Sequence, residues 1–146
     1  MRTLRLTFLL PLLATAACTP AAGPGETPVS GGTVTQDAAT RTTPVVPGRP
    51  ARVFVYAALG EACKPLPPPS VRVVAPPTQG DVTFRDGQPT TIVSAGAAAC
   101  AGRAATGTGV YYTARAGAAG SDRFTVEAQA TDGTRQSRNF EVRIEP

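Results

Sequence analysis

The stretch SDRFTVEAQATDGTRQSRNFEVRI, residues 121–144, contains two runs of alternating apolar and polar residues separated by a short polar segment. Every second residue is apolar from Phe124 to the end of the first run and from Phe140 to the end of the second. Strict alternation is typical of antiparallel strands that have one buried and one solvated face. Asp132-Gly133, between the runs, is a dipeptide typical of turns that join antiparallel neighbours. The stretch therefore predicts a β-hairpin, with Asp132 and Gly133 in structural roles at its turn.

Five further runs upstream have the composition of strands. Each is short, rich in β-branched or aromatic residues, and bounded by Gly, Pro or Asp. No segment carries a helical stripe of useful length, and the alanine-rich residues 95–105 contain glycines and a cysteine that favour a loop. About seven short strands at turn spacing predict an all-β fold, an antiparallel β-sandwich. The five runs are residues 52–58, 71–77, 81–87, 90–94 and 109–114.

The segment ARAGAAGSD joins two of these runs and has the residues of a tight turn. Gly117 and Gly120 are expected to take a positive φ there, which costs glycine little. Asp122 is expected to accept backbone N–H bonds within this turn. Calcium needs about six to eight oxygen ligands, whereas Asp122, Asp132 and Asp86 stand singly in the sequence. We therefore predict structural roles for these residues and no metal site.

The turn glycines and their neighbours belong to a longer pattern. PPTQGDVTF, followed by GVYYTARAGAAGSDRFTVEAQATDGTRQSRNFEVRI, is similar to bacterial Ig-like domains, in which P-x-x-G-x-V precedes Y-x-x-x-x-G-x-x-G-x-D-x-F-x-V and a closing D-G turn. The resemblance extends from residue 76 to residue 144 and implies an Ig-like β-sandwich. The matching positions are Pro77, Gly80, Val82, Tyr112, Gly117, Gly120, Asp122, Phe124, Val126, Asp132 and Gly133.

The first 17 residues have the layout of a secretory signal peptide. Arg2 and Arg5 give a short positive region, residues 6–13 are almost entirely apolar, and small residues follow. The apolar part is too short to span a bilayer as a helix. We therefore expect the protein to be exported, with residues 1–17 removed.

Cys18 directly follows the small residues, and two cleavage routes are open. TAAC resembles the lipobox of bacterial lipoproteins, which implies that Cys18 is acylated and anchors the protein. Thr19 replaces the Asp that often retains lipoproteins at the inner membrane, which implies the outer membrane, facing the periplasm. Cleavage at the A-x-A spacing before Cys18 would instead release a soluble protein with a free thiol. Because the chain has three cysteines, acylation of Cys18 leaves Cys63 and Cys100 as a pair.

The chain beyond the signal peptide divides into a linker and one small domain. Residues 18–50 are rich in Pro, Gly, Thr and Ala and are predicted to form a disordered linker that follows the lipid anchor. Residues 51–146 suffice for one small domain. A Cys63–Cys100 disulfide is plausible in an oxidising compartment. It would close a loop of 37 residues and add about 4 kcal/mol of stability in the chain-entropy model.

The sequence contains few of the groups that enzymes use. It has no histidine, and its one lysine, Lys64, is separated from Ser70 by a proline-rich run that favours an extended segment. We therefore predict no catalytic site and no cofactor. The net charge is +4 for the whole chain and +2 without residues 1–17, with 12 basic and 10 acidic residues. The arginines are scattered singly, so we expect no nucleic-acid partner.

These observations together predict a non-catalytic, lipid-anchored envelope protein whose Ig-like head serves binding or structural contact. Its expected partners are the membrane, through the N-terminal lipid, and another envelope protein or a polysaccharide. An alternative is an accessory subunit of a cell-envelope assembly, docked through KPLPPPS or an edge strand. A soluble secreted Ig-like domain without lipid is a further alternative. The step from fold to binding is an analogy at the level of the fold.

Overall fold

The computed structural model describes residues 34–36, 43–93 and 98–146, and these residues form an all-β fold. The predicted two-sheet antiparallel sandwich is confirmed, with seven strands in this part of the chain. Two single-turn 3₁₀ helices, Glu61–Cys63 and Ala98–Cys100, are the helical elements. The strands are β1 (Val34–Gln36), β2 (Ala51–Ala58), β3 (Ser70–Ala75), β4 (Gly80–Thr91), β5 (Ala104–Ala114), β6 (Gly120–Gln129) and β7 (Arg135–Ile144).

The strands divide into a four-stranded and a three-stranded sheet. Sheet one has the order β1-β2-β5-β4, and sheet two has the order β3-β6-β7. The predicted hairpin is present as β6 and β7, which pair in an unbroken antiparallel register that places Phe124 opposite Phe140. All the strand pairs within the sheets are antiparallel. The apolar faces predicted from the alternation therefore meet between the two sheets.

A line of aromatic rings fills the space between the sheets. Tyr112 of β5 stacks on Phe124 of β6 with 5.7 Å between the ring centroids, and Phe124 stacks on Phe140 at 5.1 Å. Phe54 of β2 reaches Phe140 from the opposite sheet at 5.7 Å. Burying each such side chain contributes about 1.5 to 3 kcal/mol, and the ring contacts add to that. These rings therefore supply much of the stability of a domain with few aromatic residues.

Strand β4 differs from its prediction. The sequence pattern predicts two strands here, 81–87 and 90–94, whereas a single strand runs from Gly80 to Thr91. Ser94 lies outside the described residues. Its pairing with β5 shifts between Arg85 and Gln88, where Gly87 has a φ of +70°. A β-bulge of this kind inserts an extra residue while the strand continues. The Asp-Gly pair that resembles a turn in the sequence therefore lies within a bulged strand.

The packed domain extends upstream of residue 51, which is the start that the sequence composition predicts. Val45 is only 1% exposed, its N–H donates to Arg143 O at 2.7 Å, and its carbonyl accepts from Glu145 N–H at 3.0 Å. Strand β1 pairs with β2 in sheet one. Two adjacent valines between prolines give no periodic signal, so the contact of Val45 with β7 was not predictable. Signal residues 1–17 and most of the predicted linker lie outside the described residues.

The predicted Cys63–Cys100 disulfide is confirmed, with 5.5 Å between the Cα atoms. It joins the two 3₁₀ turns, Glu61–Cys63 and Ala98–Cys100. Cys100 is buried with Leu59, Ile92 and other apolar residues in a second cluster that is separate from the main core. The disulfide therefore fixes the long loops after β2 and β4 against a small apolar cluster.

Candidate binding groove beside strand β4

The sandwich is open along one side, where the free edges of β3 and β4 approach each other. Within the described residues, β3 pairs only with β6 and β4 only with β5, so each strand lacks a partner on its other side. Residues 76–79 connect the two strands. A groove of about 410 Å³ lies at this opening. It is lined by Pro68, Pro69, Ser70, Val71, Phe84, Asp86 and Thr108.

The wall of the groove is partly apolar. Phe84 and Val82 of β4 and Val71 of β3 are packed against the main core but are only half-buried. Phe84 pairs with the fully buried Val110 in the register of sheet one, so its side chain lies on the inner face of the sheet. These three side chains are less covered than the central core because no strand closes the sandwich here. The groove can therefore accept apolar side chains from another molecule.

The bulge in β4 places an acidic group at one end of the groove. The hydroxyl of the buried Thr108 donates to Asp86 Oδ1 at 2.9 Å. Asp86 was predicted to be an isolated residue, and the structure gives it a hydrogen-bond partner 22 positions away on β5. This end of the groove is therefore polar and negatively charged, whereas the part beside Phe84 is apolar.

The outer face of sheet one beside β4 carries two arginines without acidic partners. Cζ of Arg85 lies 4.2 Å from the centroid of the Tyr111 ring, which is a cation–π contact. The hydroxyl of Tyr111 donates to Gln88 Oε1 at 2.6 Å. Nη1 of Arg52 donates to Pro89 O at 3.0 Å. Neither guanidinium group has a carboxylate within 4.0 Å in the described part of the chain, so this face has unbalanced positive charge.

The outer face of sheet two differs because its arginines are paired. Nη2 of Arg72 lies 2.7 Å from Glu127 Oε1, and Nη2 of Arg123 lies 2.9 Å from Glu141 Oε2. Thr125 and Asn139 are joined between these pairs by a hydrogen bond of 2.7 Å. The charges of sheet two therefore largely compensate one another, and the sequence prediction of a solvated strand face describes this sheet well.

Asp122 fixes the connection between β3 and β4, which is a different role from the predicted one. Its Oδ1 accepts the N–H and the hydroxyl of Thr78, both at 3.0 Å, and its Oδ2 accepts the N–H of Gln79 at 2.8 Å. Tyr112 donates to the same carboxylate. Asp122 therefore binds the 76–79 loop, instead of the turn just before it. The alternation of β6 is the sequence signal for the burial of Asp122, because it places this acid on the same face as Phe124.

The electrostatics of Asp122 follow from these bonds. Burial acts to raise the pKa of its carboxyl, but the hydrogen bonds from Thr78, Gln79 and Tyr112 outweigh burial and lower the pKa below its ordinary value. The pKa of the Tyr112 hydroxyl is raised by burial and by its bond to the ionised Asp122. The pair is therefore an ionised acceptor and a neutral donor at neutral pH, and it has a structural function.

The glycines singled out in the sequence have two different roles. Gly117, Gly120 and Gly133 have φ between +79° and +88°, as expected for turn glycines. Gly80 has no positive φ, but a Cβ atom there would contact the Tyr112 ring and lie 2.6 Å from Thr113 O. Gly80 is therefore required by close packing. The carboxylate of Asp132 accepts the N–H of Thr134 at 2.9 Å within the β6–β7 turn.

Two further polar atoms, one on Tyr56 and one on Arg138, are buried near the Phe54 ring. The hydroxyl of Tyr56 and Nη1 of Arg138 are buried and have no hydrogen-bond partner in the described part of the chain. Cζ of Arg138 lies 4.4 Å from the centroid of the Phe54 ring. Burial raises the pKa of Tyr56 to about 12, and the charge of Arg138 opposes that shift. Tyr56 is therefore a neutral side chain at physiological pH.

The remaining predicted sites give no catalytic arrangement in the described residues. Lys64 is exposed, and Ser70 donates to Gln129 O at 3.4 Å. No group of three His, Cys, Asp or Glu side chains that could hold a metal ion occurs in residues 43–93 and 98–146. Cys18 lies outside the described residues. Over the same described ranges, the structure contains no helix long and apolar enough to cross a membrane.

Comparison of the chain with protein-family models, with curated proteins and with solved structures found no match. The described structure defines the class of the molecule as a small two-sheet antiparallel β-sandwich with one disulfide. Its most distinctive surface is the groove beside β4, with the unpaired Arg85 on the adjacent outer face.

Proposed function

We propose that this chain is a non-catalytic, lipid-anchored envelope protein whose Ig-like head binds another envelope component. The observation that carries the proposal is the open side of the sandwich, where two unpaired strand edges flank a groove lined by half-buried apolar residues. Free strand edges promote association with other polypeptides unless they are covered. A partner bound on this side would cover both strand edges, and this supports a role in binding. The partner class is an envelope protein or a polysaccharide.

The anchor in this proposal is Cys18. The disulfide pairs Cys63 with Cys100, so Cys18 is the remaining cysteine of the chain. The resemblance of TAAC to a lipobox supports acylation of Cys18 after export, and Thr19 supports retention at the outer membrane, facing the periplasm. Residues 18–33 precede β1, and sixteen residues reach at most about 55 Å when extended. This length would let the head reach partners near the membrane without leaving it.

The composition of the chain supports a non-catalytic role. It has no histidine to act as a general acid or base, and the groove contains one carboxylate, Asp86, which is bonded to Thr108. Ser70 lines the groove, but its hydroxyl donates to Gln129 O. A hydrolase activity that disappears in Ser70→Ala and in Lys64→Ala, with both variants folded, would contradict this part of the proposal.

The test of the anchor is the intact mass of the protein purified from membranes, with Cys18→Ala beside it. We expect an acylated chain that begins at Cys18, and we expect the variant to be released or left unprocessed. A plain mass that begins at or before Cys18 would instead assign the protein to the soluble secreted class. Affinity capture from detergent extracts tests the binding role, and a groove variant such as Val71→Asp should lose the captured partner.

An accessory subunit of an envelope assembly is the second candidate, favoured by the proline-rich segment. Leu59 and Pro65 form an isolated bridge, and Leu66 N–H donates to Ala58 O at 3.0 Å. These contacts hold the exposed Pro67 and Pro68 at the surface beside the groove. Extended proline segments are recognised by aromatic-lined grooves. A stoichiometric partner that is captured by the Val71→Asp variant, but not by the double variant Pro67→Ala, Pro68→Ala, would support this candidate.

A further inference from the structure

We infer that the free edge of β4 accepts an extended segment of a partner protein in which apolar and acidic residues alternate. This inference deepens the proposed binding role, because it names the chemistry of the partner for the same open side of the sandwich. It follows from three properties of β4: an unpaired backbone edge, an apolar inner face and an outer face on which Arg85 has no carboxylate partner.

The first property is the regular backbone of residues 80–85. These residues pair with β5 in an unbroken register from Gly80 opposite Ala114 to Arg85 opposite Gly109. Their other side has no strand partner in the described residues. The bulge after Arg85 and the absence of an N–H at Pro89 end this regular edge. A regular edge of about six residues, the length of an ordinary strand, is therefore open to an added strand, and alternate residues direct their N–H and C=O groups toward it.

The second property is the apolar inner face of this edge. Val82 and Phe84 alternate with outward-facing residues, and Val71 lies across the opening on β3. An added strand places every second side chain on the inner face of its sheet. Those side chains would cover Val82 and Phe84 and close the sandwich toward Val71. They must therefore be apolar.

The third property is the charge of the outer face. Thr83 and Arg85 point outward, and Arg85 is held over Tyr111 without a carboxylate partner. Asp81, at the other end of the edge, is exposed and lies 3.6 Å from Arg115. Acidic side chains of an added strand would therefore be attracted at the Arg85 end and repelled by Asp81 at the other. A guanidinium group suits carboxylates because its planar fork makes two parallel hydrogen bonds.

An anionic polysaccharide fits the same surface less well. Tyr111 is the aromatic ring of this face, and one side of it is covered by Arg85. Its edge lies against the backbone of Gly109, where an added Cβ atom would be 3.0 Å from Tyr111 Cε2. The ring face under Arg85 is therefore not available to stack on a sugar. A polysaccharide also lacks the evenly spaced N–H and C=O groups that a polypeptide strand offers to the free edge of residues 80–85.

The test uses the full chain carrying Cys18→Ala and a synthetic nine-residue peptide of alternating Val and Glu. Binding is followed by the NMR shifts of the backbone amides. We expect shifts in residues 80–85 of β4, a loss of affinity of about tenfold in Arg85→Glu, and little loss in the matched control Arg123→Glu on sheet two. A peptide of alternating Val and Lys should bind more weakly to the parent chain and more tightly to Arg85→Glu.

Three results would overturn the inference. The Val and Lys peptide could bind as well as the Val and Glu peptide, the shifts could lie on β3 or β7 instead of β4, or no peptide could bind. Binding of polygalacturonate in place of the peptide would assign the surface to an anionic polysaccharide and would also overturn it. The anchor test is independent of this one. Peptide binding by a protein whose Cys18 is not acylated would contradict only the proposed anchor. An acylated Cys18 in a protein that does not bind the peptide would contradict only this inference.

Discussion

Tyr112 donates a hydrogen bond to Asp122 across the interior of the sandwich, with 2.8 Å between Oη and Oδ2. The bond joins β5 of sheet one to β6 of sheet two. The same carboxylate, which is only 3% exposed, accepts the N–H groups of Thr78 and Gln79 in the loop between β3 and β4. One buried acid therefore connects both sheets to the loop that sets the spacing of the two free edges.

The stability of the protein should fall in acid because of Asp122. Its folded pKa is lower than its unfolded pKa, which is about 3.9 for an ordinary Asp. The ionised form therefore stabilises the fold above that value, and this contribution is lost as the pH falls through the folded pKa. Asp122→Asn should cost about 1 to 3 kcal/mol at neutral pH and show a smaller further loss than the parent chain as the pH falls below about 4.

Urea unfolding of the parent chain and Asp122→Asn at several pH values measures both effects of that substitution. Glu127→Gln serves as a matched carboxylate control on the outer face of sheet two. Equal acid sensitivity in the parent chain and Asp122→Asn would show that other carboxylates cause the loss.

Gly80→Ala should destabilise the fold by about 1 to 3 kcal/mol, because overpacking a filled interior has that cost. The added Cβ atom would collide with the Tyr112 ring and with Thr113 O, and the backbone oxygen cannot move freely. Gly87→Ala is the control, since its φ of +70° strains an alanine but its Cβ atom would meet no atom within 4 Å. The strain alone should cost about 1 to 2 kcal/mol. Thermal unfolding measures the stability of both variants, and the near-UV signal of the three tyrosines should change in Gly80→Ala because the Tyr112 ring is displaced. An unchanged tyrosine signal in Gly80→Ala would contradict the predicted collision.

The upstream segment should behave as part of the domain. Val45→Asp should destabilise the protein by several kcal/mol, because Val45 is buried and an acid there would lie unpaired in the core. Val46→Asp should change stability by less than about 0.5 kcal/mol, because Val46 is 43% exposed. Urea unfolding of the two neighbouring variants is the measurement. Similar stability of both would mean that residues 43–50 belong to the linker after all.

Removal of the disulfide should cost about 4 kcal/mol. The Cys63→Ser, Cys100→Ser double variant loses the closure of a loop of 37 residues, and the cost follows from the greater freedom of the unfolded chain. Denaturant unfolding with and without dithiothreitol provides the control, because reductant should destabilise the parent chain and leave the double variant unchanged. A double variant as stable as the oxidised parent chain would show that the two loops are held by their apolar cluster alone.

The charge pairs of sheet two should contribute little to stability. Glu127 contacts Arg72 at 2.7 Å and Arg135 at 3.9 Å. The two arginine side chains are mostly exposed and hold the charge of each pair near water, although the Glu127 side chain is only 15% exposed. Exposed ion pairs contribute about 0 to 1 kcal/mol and are weakened by salt. Glu127→Gln should therefore lower the free energy of unfolding by less than about 1 kcal/mol, and the difference should shrink in high salt. A loss above that range, unaffected by salt, would show that Glu127 has a packing role.

Much of the candidate groove was not predictable from the residues that form it. The half-buried Phe84 and Val71 look like ordinary inward strand residues, and only the sheet order shows that no strand covers them. Arg85 looks like the other scattered arginines, but its lack of a carboxylate partner depends on which strand lies beside β4. Strand order joins residues distant in sequence, so periodicity carries no information about it.

The sequence by itself determined the secondary structure class, the β6–β7 hairpin, the Cys63–Cys100 pair and the turn glycines, because alternation, turn dipeptides and cysteine count are local or compositional signals. Only the tertiary structure decided the continuity of β4, the burial of Val45 and the open side of the sandwich. It also decided the partners of Asp122, whose nearest loop contact is 43 positions away. The physical reason is that sheet pairing and the burial of polar groups depend on long-range contacts, whose energies arise only when distant segments pack together.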